Sequence, residues 1–209
     1  MEDRVLALCE LSNDLLFHKI PRERLTYYAD ASLEAGRSAA RQFSGQSIWS
    51  LYQRGGIEIR YAGSGKQNCG VVLRGQCVMD QVRCRVDVYQ DSIRELSAHS
   101  GWEGRSLTPE QALEVHLAHE FFHIWEYREG RSVVEELDPI TSASFLGLRR
   151  KSHISRCGEA AAHAFAKELL GLPVLPNFYD YRYLIATGAM TQENFDSLLA
   201  RMAALCAGK

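Results

Sequence analysis

No stretch of this chain approaches about 18 consecutive apolar residues, so the sequence holds no spanning helix. The first residues, Met1-Glu2-Asp3-Arg4, are charged, and Cys9, Glu10, Asn13 and Asp14 follow. The apolar core of a secretory signal is therefore missing, and a cytoplasmic location is the expectation. A dominant charge sign is missing too: 24 Lys and Arg stand against 26 Asp and Glu, a net charge of −2. That balance offers no global electrostatic case for nucleic acid or an anionic membrane. Six cysteines are present, but none forms a C-x-x-C pair, which argues against a structural Cys-type zinc site. In 209 residues without a secretory signal, Cys9, Cys69, Cys77, Cys84, Cys157 and Cys206 read as reduced and mostly buried. Internal repeats, low-complexity segments and linkers are also lacking, so residues 1–209 read as one domain. Gly63-Ser64-Gly65-Lys66 suggests a phosphate loop. That motif needs Gly where Arg60 stands and Ser or Thr where Gln67 stands, which rejects it.

What is present is an ordinary globular composition, 46% hydrophobic and 24% charged, with one motif that organises the chain. Residues His119-Glu120-Phe121-Phe122-His123 read H-E-x-x-H. On a helix, positions four apart share a face, so His119 and His123 can grip one metal ion. Glu120 is offset by about 100° and sits beside that ion. Neutral imidazole suits zinc, and a carboxylate next to a zinc-activated water is a general base. This is the pattern of a zinc metalloprotease, though the bare motif carries a false-positive risk and two hydrogen-bonded histidines are its plain alternative. The context favours the motif. Thr108 is a good N-cap, Pro109 fits the first helical position and Gln111 can close a capping box. Gly130 is placed to stop the helix, and Leu113, Leu117, Phe121 and Ile124 form an apolar stripe.

Around that helix the chain reads α+β, mainly helical, with a small, mostly antiparallel three-stranded sheet. Helices are expected over 3–18 and 22–43, with a short one from Ser47 to Gln53 that Gly55-Gly56 ends. Ile57–Tyr61 alternates with period two, Val71–Leu73 and Cys77–Met79 are strand-like about a turn at Arg74-Gly75, and Cys84–Tyr89 is a further strand. This places the sheet within 57–90. A short helix near Ile93–Ala98, capped by Asp91 or Ser92, precedes the motif helix, 108–129. Residues 131–156 read as a loop in which Arg149, Arg150, Lys151 and Arg156 are solvated or grip an acidic substrate. The helix at 156–170 is rich in alanine, which permits close approach to another helix, and Gly171 ends it. C-terminal helices are expected within 179–206.

A catalytic zinc takes three protein ligands. Glu159 is the preferred third, 159 − 123 = 36 residues beyond the second histidine and held by a helix rather than a loop. His163, one turn further along, can orient a ligand; it and His153 are the main alternatives, with Glu135, Glu136 and Asp138 behind them. His116 lies on nearly the same stripe as the motif histidines, supporting the site or packing with its ring hydrogen-bonded. His18 and His99 lack partners in the sequence.

The two helices together resemble the ImmA/IrrE family of zinc metallopeptidases. That family pairs H-E-x-x-H with a second helix of the form E-x-x-x-N-x-F-A-x-x-L-L, then Pro. Here the second helix reads Glu159, His163, Phe165-Ala166, Leu169-Leu170 and Pro173, with His163 where Asn is usual. The resemblance covers roughly residues 47–173 and marks the chain as a remote, gluzincin-type relative. It implies a zincin-like helix pair, a zinc ion on His119, His123 and Glu159, Glu120 as base, and a protein substrate such as a repressor or signalling protein. Several family members carry a helix-turn-helix domain, but no recognition helix is found here, so direct nucleic-acid binding is not supported. Tyr181, Tyr183, His153 and Arg150 are candidates to hold the oxyanion, and Cys84–Tyr89 is the candidate edge strand for an extended peptide. The rival from another class is a regulatory binding protein with a non-catalytic metal site. A weaker rival is a metal-free helical interaction domain.

Overall fold

A computed structural model of the chain describes residues 2–63, 67–68, 71–79, 84–145 and 148–208. The turn expected at Gly63–Lys66 falls largely outside the described residues, as does Cys69. The fold is α+β and mainly helical. In chain order, α1 is Asp3–Leu11, α2 Leu25–Arg41 and α3 Ile48–Gly55. Strands β1 Glu58–Ala62, β2 Gln67–Asn68, β3 Val71–Val72, β4 Gly75–Met79 and β5 Cys84–Tyr89 follow. Then come α4 Gln90–His99, α5 Pro109–Glu129 and α6 Val133–Glu136, the strands β6 Ile140–Phe145 and β7 Leu148–Ser152, and α7 Arg156–Leu170, α8 Asn177–Ala186 and α9 Gln192–Cys206. No helix among the described residues is long and apolar enough to cross a membrane.

The first helix is shorter than its apolar pattern suggests. It stops at Leu11 because Asp14 offers the backbone a competing partner: its Oδ1 accepts the Leu16 N–H at 2.8 Å. The other carboxylate oxygen accepts the Ser155 hydroxyl at 2.8 Å and the Arg156 N–H at 3.1 Å. A residue near the N-terminus therefore caps α7 and places an anion at its positive end.

The sheet is mixed rather than mostly antiparallel. Its order is β1-β5-β4, with β1 parallel to β5 and β4 antiparallel to it. β5 is the central strand, its Cys84, Val86 and Val88 buried, which explains why it reads so clearly in sequence. It is not an edge strand; among the described residues β1 and β4 are. Arg74-Gly75 is not a hairpin turn: Gly75 already lies in β4, β3 pairs with β2, and β4 with β5.

The loop expected at 131–156 contains α6 and a two-stranded ribbon, β6–β7. Thr141, Ala143, Ser144, Arg149, Arg150 and Lys151 are all exposed. A ribbon wet on both faces has no hydrophobic alternation to reveal it.

Three helices make the frame of the molecule. α7 lies against α2 on one side and α5 on the other. Ala160, Ala161, Ala162, Ala164 and Ala166 are all buried there. The approach to α2 is so close that a Cβ at Gly36 would sit 2.0 Å from the Ala161 carbonyl oxygen. On the α5 side, Phe165 meets Phe121 at 5.9 Å and Phe122 at 5.6 Å between ring centroids. Five cysteines among the described residues are free thiols, with Cys9, Cys84 and Cys157 buried.

Candidate metal centre

Both ends of α5 are fixed by local chemistry. The Thr108 hydroxyl accepts the Gln111 N–H at 3.1 Å, and the Gln111 side chain accepts the Thr108 N–H at 2.9 Å. Gly130 takes φ 61°, the left-handed conformation that closes a helix without a Cβ clash. Midway along, Tyr52 of α3 donates its hydroxyl to the Leu117 carbonyl at 2.9 Å. The motif thus stands deep inside an anchored helix.

His119 and His123 turn their rings to the same side, with Nε2 atoms 3.3 Å apart. Glu159 reaches them from α7: one carboxylate oxygen lies 3.2 Å from His119 Nε2, the other 3.8 Å from His123 Nε2. These three ligand atoms lie within 4.8 Å of one another, and among the described residues they form the one group placed to hold a metal ion. Two imidazoles and a carboxylate are a donor set that suits zinc, and three ligands leave a fourth position open. Burial alone would lower the pKa of His119, but its bond to Glu159 overrides that and holds it at about 9. Glu159 in turn stays well below the usual carboxylate range: burial opposes this, and the hydrogen bond from His119 and the charge of the histidines prevail.

Glu120 is buried beside this group. Burial works against its charge, yet His116, His119 and His123, with a hydrogen bond from the Cys77 thiol, keep its pKa below the ordinary range. His116 Nδ1 lies 3.9 Å from its carboxylate. On the other side of His116, a Cβ at Gly75 would come 2.2 Å from the ring's Nε2, so only glycine lets β4 lie this close to α5.

Cys77, Glu126 and Glu10 also shape the site, and none stood out in sequence. The Cys77 thiol on β4 is pushed up to about 12, first by burial and then by the Glu120 charge, so it stays protonated and donates to that carboxylate. Glu126 lies 3.6 Å from His123 Nδ1, the ring nitrogen facing away from the metal position, and also accepts the Val133 N–H. Its i+3 spacing from His123 was the available signal. Glu10 on α1 binds Arg156 at 3.0 Å and approaches His163 Nε2 at 3.8 Å. These partners are 146 and 153 positions away in the chain, beyond any local pattern (156 − 10 and 163 − 10).

Other candidates fall elsewhere. His163 packs its ring 4.9 Å from that of His119, so it supports the site from behind rather than completing the ligand group. His153 is exposed beyond the end of β7. Glu136 pairs with Arg131 and Asp138 with Arg24. Tyr181 stacks on Phe195 in the core at 4.7 Å, and Tyr183 donates to Glu95, so neither lines the metal cleft. Arg150 is exposed on β7.

Two cavities meet at the ligand group. One, of about 680 Å³, is a cleft between β4 and α5, walled by Gly75, Cys77, Met79 and the motif residues. The other, of about 300 Å³, runs behind His119 and Glu159 toward Glu10, His163 and Tyr179. Comparison with known proteins returns no matching family model, no matching curated protein and no matching solved structure.

Proposed function

We propose that this protein is a zinc-dependent metallopeptidase that hydrolyses a peptide bond in a protein substrate. The observation that carries this reading is the convergence of His119, His123 and Glu159 on one point, with the buried Glu120 carboxylate beside it and an open cleft in front. A purely structural metal site needs no buried carboxylate next to its ligands. Bound there, a zinc ion would supply Lewis acidity, polarising a carbonyl and acidifying a water molecule.

The chain's own residues do the rest. Glu120 takes the proton of the attacking water on a carboxylate oxygen and returns it to the leaving amine. Its depressed pKa keeps it ready to accept. Cys77 and His116 hold that carboxylate from two sides. Glu126 steadies His123 from behind, as a carboxylate on the far nitrogen of a ligand does. The free edge of β4 borders the cleft, so an extended peptide can add to it as a further strand and lay a carbonyl over the ligand group.

Two variants test this reading. Glu159→Ala is expected to lose most of the zinc that wild type holds, about one per chain by elemental analysis. Glu120→Gln is expected to keep its zinc and to lose cleavage of a peptide library by at least about a hundredfold. Full cleavage by Glu120→Gln would reject the mechanism. Zinc retention with no cleavage even by wild type would leave a non-catalytic metal protein.

A further inference from the structure

The opposite face of α5 carries a further cavity, of about 440 Å³, that the proposed metal chemistry does not use. Phe121, Ile124, Trp125 and Arg128 present that face, spaced as one stripe of a helix. The other wall comes from the turn after α2, with Phe43 and Gln46, and from Arg54 at the end of α3.

Three features specify an occupant. The first is aromatic. Phe43 and Trp125 are half-buried, with their rings edge to face at 88° and 6.5 Å between centroids. Arg131 stands over the Trp125 ring at 5.7 Å, and a ligand ring would join this cluster from the cavity side. The second is a missing donor. Gln46 Oε1 is buried in the cavity wall and, among the described residues, has no hydrogen-bond partner, an arrangement that costs free energy until the side chain turns to accept an N–H or O–H. The third is charge. Arg54 and Arg128 are exposed at the rim, and among the described residues neither is in an ion pair. Glu129 is the one carboxylate on that rim, set against two guanidiniums. A concave cavity of this size that combines aromatic side chains with several polar and charged groups can take a small polar aromatic molecule.

We propose that this cavity binds a planar aromatic anion of the nucleotide class. A base supplies the ring and an N–H for Gln46, and a phosphate supplies the charge for Arg54 and Arg128. The site lies behind the metal helix and is independent of whether the metal centre is catalytic.

The test uses the full chain and a panel of AMP, GMP, CMP and UMP in titration calorimetry, with adenosine and inorganic phosphate as controls. At least one nucleotide is expected to bind, with quenching of tryptophan fluorescence. Arg54→Ala combined with Arg128→Ala is expected to weaken the nucleotide about tenfold and leave its nucleoside unchanged. Both positions are exposed, so the fold persists in that variant. Gln46→Leu is expected to weaken nucleotide and nucleoside alike. No binding by any of the four nucleotides at millimolar concentration overturns the proposal. So does affinity unchanged in the arginine variant, which puts the ligand elsewhere. Phosphate binding as tightly as the nucleotide overturns it as well, by reducing the site to a simple anion contact.

Discussion

Cys77 and His116 meet the Glu120 carboxylate from β4 and from the preceding turn of α5. A thiol with its pKa near 12 is a dependable proton donor at neutral pH, so it holds the carboxylate without competing for the metal. Cys77→Ala is therefore expected to lower peptide cleavage about tenfold with zinc content unchanged, the cost of losing a hydrogen bond to a charged group. Unchanged cleavage in that variant would assign the thiol to packing alone. At this scale, legibility followed distance along the chain. His119, Glu120 and His123 fit inside one helical turn and a half, so local periodicity exposed them. Glu159 followed from ligand count and its helix. Cys77 and Glu10 reach the site only through β4 and α1, and no spacing rule links them to it.

Among the elements, α7 matters most, because it carries Glu159 between α2 and α5. Its position depends on the absence of a side chain at Gly36, where a Cβ would also lie 2.9 Å from the Ala164 methyl group. Gly36→Ala is expected to destabilise the protein by about 3 kcal/mol as the helices are forced apart, lowering the melting temperature by about 10 °C. A thermal scan checks this; a change within about 1 °C would show that the helices slide past the clash. The alanine-rich sequence of α7 announced a close neighbour but not which one. The 156–170 and 84–89 boundaries emerged intact because strong helix formers and buried alternation coincide with them. The ribbon β6–β7 stayed hidden because most of its described side chains are exposed, Leu148 among them, which leaves no hydrophobic alternation, and α1 was read too long because Asp14 ends it through its side chain.

For the whole molecule, buried histidines set the response to pH. Burial, the dominant cause in both, lowers His116 to about 4 and His163 to about 3, from an ordinary 6.5. A depressed folded-state value means that the unfolded chain binds the proton first. Stability is then full above 6.5 and is lost as pH falls toward 4 and 3, by roughly 3 kcal/mol for His116 and roughly 5 kcal/mol for His163. His119 runs the other way in the metal-free protein. Its raised value of about 9 adds stability that is present below 6.5 and lost as pH rises through 9. Urea unfolding of metal-free protein is thus expected to give maximal stability near pH 6.5, with a shallower acid limb in His163→Gln. A flat acid limb in wild type would contradict the burial argument. Zinc should shift the balance by mass action: at a thousand times its dissociation constant it adds about 4 kcal/mol, so a chelator is expected to lower the melting temperature. Equal melting temperatures with and without chelator would mean that folding does not preform the ligand group.

The cap that Asp14 places on α7 has a consequence for synthesis. As the chain leaves the ribosome, His119 and His123 of α5 emerge before Glu159 has been made. The carboxylate comes later, on a helix whose first turn is held by Asp14, a residue made well before α5. Asp14, made before α5, must wait for α7 before its second carboxylate oxygen finds the Ser155 hydroxyl and the Arg156 N–H. Under the proposed function, full-affinity metal capture would report that α7 has docked, and a nascent chain halted after α5 would offer only a weak, two-point grip.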